Sequence, residues 1–172
     1  GYAHLLSGSN ADDEATDIRL ERETESALND ATWHPGGKSA LIVGDDGTIL
    51  RFNSTNYALG EAEGSVAMAG IDINSIHFKA GSSVAYLGTD SGQIWRYYAD
   101  TFTLLNDEAS SRITDIDCLK NKNICVAGTL NDGVAVIDQA DIVTWLPNSR
   151  YHTWVGIGCE DATMNEIGRA HV

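Results

Sequence analysis

Two pairs of neighbouring carboxylates, Asp45/Asp46 and Asp115/Asp117, have the first claim on chemistry. A glycosidase needs two carboxyl groups about 5–9 Å apart, one to protonate the leaving oxygen and one to attack or to activate water. A second reading competes. Asp45, Asp46, Asp90, Asn131 and Asp132 all stand within two residues of a glycine in short polar stretches between apolar runs. Side chains of that type satisfy free backbone N–H groups in tight turns, and this structural role is the one the composition favours. The same oxygens are the ligand type that calcium takes, so calcium at the Asp-rich turns is the one cofactor these residues suggest. Five histidines, His4, His34, His77, His152 and His171, show no H-x-x-x-H or H-E-x-x-H spacing. His34 and His77 fall at matching places in a repeat described below, where a strand-end hydrogen bond is the expected role. No G-x-S-x-G elbow, Walker loop or G-x-G-x-x-G is present. The expectation is a binding module without catalytic residues, its surface drawn from Trp33, His34, His77, Asp45, Asp46 and Asp90. A propeller-type carbohydrate-active hydrolase or lyase, and a structural subunit or assembly factor, are the competing readings.

The elements that must position these residues are repeated. Apolar stretches ending in glycine recur as AHLLSG (to Gly8), SALIVG (to Gly44), SVAYLG (to Gly88), NICVAG (to Gly128) and TMNEIG (to Gly168), at intervals of 36, 44, 40 and 40 residues. The middle three run on into DDGTILRF, TDSGQIWRY and TLNDGVAVID, the composition of a hairpin turn and a returning strand. Alternating segments lie before them, at 29–34, 73–78 and 113–119, and behind them, at 56–61, 101–107 and 141–147. Four short strands per unit of about 40 residues, rich in β-branched and aromatic side chains, describe a blade that buries its faces only by stacking on neighbours. The fold class is therefore all-β: propeller blades of four antiparallel strands, about four of them or part of a larger ring. One domain covers 1–172, with repeats near 1–28, 29–70, 71–111, 112–150 and a partial one at 151–172. The charged stretch Ala11–Leu28 is the one place where a helix competes, and Asp17–Glu23 within it is read as a strand.

The segment WHPGGKSALIVGDDGTILRF at 33–52 resembles the propeller repeats of the WD40-like and photosystem-assembly-factor-like superfamilies. DSGQIW at 90–95 is similar to the Asp-box turn of sialidase-like propellers, which is structural rather than catalytic. The resemblance spans residues 29–147 and implies blades that present loops to a protein or a small ligand.

Composition narrows the partner. With 25 acidic against 11 basic residues the net charge is -14, which repels a phosphate backbone and makes nucleic acid an unsuitable partner. No apolar run approaches the roughly 20 residues of a membrane span. Cys118, Cys125 and Cys159 form no C-x-x-C pair. Cys118 and Cys125 lie in consecutive apolar segments and could bridge if those are neighbouring strands, but the preferred reading is small buried hydrophobes. The Trp and Tyr side chains at 33, 95, 97, 145 and 154 are read as packing between blades. Arg51 and Arg96, matched across two repeats, are read as pairing with an Asp of the adjacent blade. Asn53-Ser54-Thr55 is a glycosylation sequon on a loop. Both ends of the chain carry a version of the same weakly charged strand, which points to self-association or closure between the ends.

Overall fold

A computed structural model describes residues 4–7, 16–19, 23–120 and 122–147, with side chains from residue 23 onward. Two short strands, β1 (His4–Ser7) and β2 (Thr16–Arg19), pair antiparallel, and β2 overlaps the stretch read as a strand. Three four-stranded antiparallel sheets follow. The first blade is β3 (Leu28–Trp33), β4 (Ser39–Gly44), β5 (Ile49–Asn53) and β6 (Ala58–Glu61). The second is β7 (Ile73–Phe78), β8 (Ala85–Thr89), β9 (Ile94–Tyr98) and β10 (Thr101–Asn106). The third is β11 (Ile113–Cys118), β12 (Cys125–Thr129), β13 (Val134–Ile137) and β14 (Val143–Trp145). Consecutive strands are neighbours throughout, so the fold is the propeller-blade architecture, all-β. The unit at 151–172, with His152, Trp154, Cys159, His171 and the TMNEIG repeat, and the end-to-end pairing lie outside the described residues, and before residue 23 the unit at 1–28 is described only in the backbone of β1 and β2.

Opening strands of successive blades lie side by side, β3 against β7 and β7 against β11. Each is an edge strand in its own sheet, so its outer N–H and C=O groups need partners from elsewhere. The preceding blade supplies them. Ile76 N–H donates to Asp30 Oδ2 at 2.8 Å, and Ile116 N–H donates to Ser75 Oγ at 2.9 Å. Asn29 Nδ2 donates to the Ile73 carbonyl at 3.0 Å, and Asn74 Nδ2 to the Ile113 carbonyl at 3.1 Å. Both asparagines sit at a bulge, where the register skips one residue between Leu28 and Asp30 and between Ile73 and Ser75. The extra residue leaves the ladder, and its amide is thereby aimed at the next blade.

The register corrects one sequence reading. Leu28 pairs with Gly44, Ile73 with Thr89 and Ile113 with Thr129, so Gly44 corresponds to Thr89 and Thr129, while Gly88 and Gly128 correspond to Val43. His34 and His77 are consequently not equivalent: His77 matches Thr32, and His34 matches Lys79. The glycines meet different steric demands. A Cβ on Gly44 would lie 1.9 Å from the Ala27 carbonyl oxygen, whereas one on Gly88 would lie 2.3 Å from Cγ2 of Ile113 in the next blade.

Apolar side chains fill the seams between blades. Leu41, Val43 and Ile49 of the first blade meet Ile76, Phe78 and Leu87 of the second. Tyr86 and Ile94 of the second meet Ile113, Ile116 and Ala127 of the third. In and beside the two central strands of each blade, Leu41, Val43, Ile49, Leu50, Val84, Tyr86, Ile94, Val126 and Val134 are buried, while Ile42, Trp95, Ile124 and Val136 are half-buried. Cys118 and Cys125 oppose each other across β11 and β12, with Cα atoms 4.0 Å apart, and form a disulfide. They are buried, as expected of small apolar residues, but they are bonded rather than free. Among the described residues no helix is long and apolar enough to cross a membrane.

Candidate functional site

Alternating strand direction sends consecutive connections to opposite ends of each blade, and this sorts the charges. One end gathers the segments that precede the opening strands and the turns between second and third strands. Backbone bonds tie them together: Asp45 N–H to Ala27 O, Asp90 N–H to Asp72 O and Leu130 N–H to Arg112 O, at 2.9–3.0 Å. Among the described residues this end carries Glu23, Glu25, Asp45, Asp46, Glu61, Glu63, Asp72, Asp90, Asp107, Glu108 and Asp132 against a single cation, Arg112. At the opposite end Lys38, Lys79, Lys120 and Lys122 offset Asp100, Asp138 and Asp141. The sequence-predicted surface is divided accordingly: Asp45, Asp46 and Asp90 belong to the acidic end, while Trp33, His34 and His77 lie toward the other.

Some acidic-end carboxylates build turns. Asp45 Oδ1 accepts Asn29 Nδ2 at 2.8 Å, and Asp72 Oδ1 accepts the N–H of Asp46, a residue at φ 56° beside Gly47 at φ 74°. Glycine is required at position 47 twice over, since a Cβ there would also meet the Met68 carbonyl oxygen at 2.1 Å. Other carboxylates are uncommitted. Glu23, Asp46 and Glu61 make no side-chain hydrogen bond or ion pair with the described residues, and they line one depression of about 280 Å³ with Thr24, Thr48 and Ser65. Val66 stands at its rim, 84% exposed. No three His, Cys, Asp or Glu residues converge to hold a metal ion among the described residues.

Asp132 locks the acidic end of the third blade. Its Oδ2 accepts the N–H groups of Ser110 and Ser111 at 2.8 and 2.6 Å, and Ser110 Oγ donates at 3.1 Å. Hydrogen bonds from Ser111, helped by those from Ser110, hold its carboxyl below the ordinary carboxylate value against the opposing pull of burial. A lowered folded-state pKa means stabilisation that is complete above the unfolded value, about 3.9, and lost as pH falls through the folded value. Asp132→Asn is expected to lower stability by about 1 kcal/mol at pH 7. In urea melts the gap from the parent should begin to narrow below about pH 4 and close only as pH falls through the lowered folded-state value, where the parent carboxyl is neutral in both states.

The opposite end is occupied by packing. His34 Nδ1 accepts Gly36 N–H at 3.0 Å, so its neutral ring carries the proton on Nε2 and donates to Ser83 Oγ of the next blade at 2.9 Å. Its ring also meets Phe78 edge-on at 5.2 Å. His77 Nε2 lies 3.3 Å from Asp117 Oδ1 across the next seam. Both histidines bridge blades. Asp115 accepts Ser75 Oγ at 3.3 Å, so that carboxylate pair too serves the seams. Arg51 reaches Asp100 and Tyr97, and Arg96 Nε lies 2.7 Å from Asp141 Oδ2. Each arginine thus pairs with an Asp of the adjacent blade, as read from the sequence. The tyrosine partners of the same carboxylates, Tyr97 on Asp100 and Tyr86 on Asp141, were not legible in the sequence. Both Tyr hydroxyls are pushed up by burial and then by the hydrogen bond to the carboxylate. Trp95 and Trp145 pack in seams, whereas Trp33 is 50% exposed.

No protein-family model and no curated protein sequence matches the chain. Solved structures do. The chain is similar to Sqt1 of Chaetomium thermophilum, solved bound to the N-terminus of ribosomal protein L10, with TM-score 0.72 and 15% identity over 95% of this chain and 47% of that one. It is similar to the computationally designed protein Ika4, with TM-score 0.62 and 18% identity over 80% of this chain and 82% of that one. It is similar to U3-55K, with TM-score 0.61 and 12% identity over 76% of this chain and 41% of that one. The chain spans about half the length of Sqt1, and identities this low bear on the fold alone: a stack of propeller blades.

Proposed function

We propose that the chain is a non-enzymatic binding scaffold whose acidic end holds a Lys- or Arg-rich segment of another protein. The separation of charge between the two ends carries this reading. Rigid blades fix the turns, so uncommitted carboxylates such as Asp46, Glu61, Asp90 and Glu108 present a field of one sign without a folding role that would oppose a partner. The depression lined by Glu23, Asp46 and Glu61 offers a cationic side chain three carboxylates, and exposed Val66 offers its stem an apolar contact. The likeness to Sqt1, caught holding the terminus of another protein, supports a protein partner over a small molecule.

The test uses fluorescent peptides of equal length, one rich in Lys and Arg and one rich in Glu. The basic peptide is expected to bind, and to weaken about tenfold or more between low and physiological salt. Asp46→Lys with Glu61→Lys should abolish binding while the far-UV spectrum and melting temperature are kept. Equal binding of both peptides, or a variant that binds as well as the parent, would overturn the proposal.

A further inference from the structure

Asn53-Ser54-Thr55 is the single Asn-X-Ser/Thr sequence in the chain, and the fold places it where a glycan fits. Asn53 ends β5, and it is exposed, as are Thr55 and the three residues that follow. Its Oδ1 accepts Thr55 N–H at 2.8 Å, and its Nδ2 donates to no described residue. Ser54 anchors the turn, its N–H donating to Lys38 O at 3.0 Å and its Oγ to Gly37 O at 3.2 Å. Beside the sequon the buried Phe52 carries two exposed aromatics, Trp33 edge-on at 5.9 Å and Tyr57 at 6.4 Å. Half-exposed rings of this kind are a surface that the first sugars of a glycan would cover. An independent feature points to the same compartment: the Cys118–Cys125 disulfide, a link that persists in oxidising surroundings and is rare in the reducing cytosol.

We infer that the chain is exported through an oxidising compartment and carries an N-linked glycan on Asn53. In that transfer Asn53 Nδ2 bonds to the anomeric carbon of an oligosaccharide linked to a lipid pyrophosphate. The bond from that carbon to the phosphate oxygen breaks, the lipid pyrophosphate departs and the amide gives up one proton to a base. The turn lies at the end of the blades opposite the acidic loops, so a glycan there leaves the acidic end open.

The experiment expresses the full chain behind a secretion leader in a glycosylating eukaryotic host, and compares parent, Asn53→Gln, Thr55→Ala and Thr55→Ser by intact mass before and after peptide N-glycosidase. Parent and Thr55→Ser should lose a glycan mass on digestion, with Asn53 converted to aspartate, and the other two variants should show no change. Thiol labelling without reductant should leave Cys118 and Cys125 unmodified, both here and in cells of the source organism. A secreted, folded parent without a glycan mass would overturn the modification. Labelling of both cysteines in the source cells would overturn export.

Discussion

Asp141→Ala is expected to lower stability by about 3 kcal/mol, whereas Asp100→Ala, at the matching place one seam away, should cost about 1 kcal/mol. The two carboxylates do the same job in different surroundings. Asp141 accepts the hydroxyl of Tyr86, which is fully buried, at 2.5 Å and faces Arg96 Nε at 2.7 Å. Lys79 Nζ lies 3.6 Å away, on a residue only 7% exposed that has one other partner, the Gln139 carbonyl. Arg96 Nε is buried without a well-directed hydrogen bond, so its attachment to Asp141 is one of charge, helped by the Tyr98 ring 5.2 Å away. Removing Asp141 leaves the buried Lys79 and Tyr86, and Arg96 with a side chain about a quarter exposed, without their shared carboxylate, and the unpaired buried groups carry the cost. Arg51 and Asp100 are each about a third exposed, and solvent compensates for much of what their pair supplies. Both aspartates have positive φ, 64° and 60°, so the strain that alanine adds is shared and cancels in the comparison. Asp141→Asn, which tolerates that backbone, separates charge from conformation and should keep most of the loss. Equal costs at the two sites, read by urea denaturation, would show that burial does not set the difference.

Strand positions were legible because the blades obey local rules. INSIHF at 73–78 alternates, is flanked by turn residues and becomes β7 at those bounds. Arg51 and Arg96 were legible as seam pairs because a repeat carries its interface with it. Their tyrosines were not, since Tyr97 and Tyr86 sit on different strands and no single repeat position announces them. The slip between Gly44 and Gly88 has a similar origin: two glycines excluded from bearing a Cβ by different neighbours look alike in a sequence. The burial of the opening strands was not legible. Ile73, Ile76, Ile113 and Ile116 are buried by the adjacent blade rather than by their own sheet, and that burial leaves no trace in the local pattern.

The acidic end was hidden for a topological reason. Asp46, Glu61, Asp90 and Glu108 are spread over more than sixty residues, in ordinary polar connections or, for Glu61, at a strand end. A meander of four strands sends every second connection to the same end, and stacking lays those connections side by side. A net charge of -14 reads in the sequence as general acidity, but among the described residues the fold sorts the charges into a polarity between two ends. Of the candidate binding residues read from the sequence, Asp46 and Asp90 lie at the acidic end, whereas His34 and His77 lie toward the other and have rings that bridge blades.

Gly88 and Ile113 test that stacking directly. Gly88→Ala should cost about 1–3 kcal/mol, because the added methyl arrives 2.3 Å from Ile113 Cγ2 and 2.6 Å from its Cβ, in a seam where Ile113 is fully buried and has nowhere to go. Ile113→Ala should cost about 2–5 kcal/mol through the cavity it opens among Tyr86, Ile94 and Ile116. Combined, the two changes should cost less than their sum by about 1 kcal/mol or more, since losing Cγ2 removes the closer clash and the new methyl fills part of the space. Relief stays partial, as the Cβ of residue 113 remains in the way and the strands must part slightly. Denaturant melts of the four proteins measure the coupling. Simple additivity would mean that the second and third blades do not bear on each other at this point, and the inter-blade register built on the Asn74 bond to the Ile113 carbonyl would fall with it.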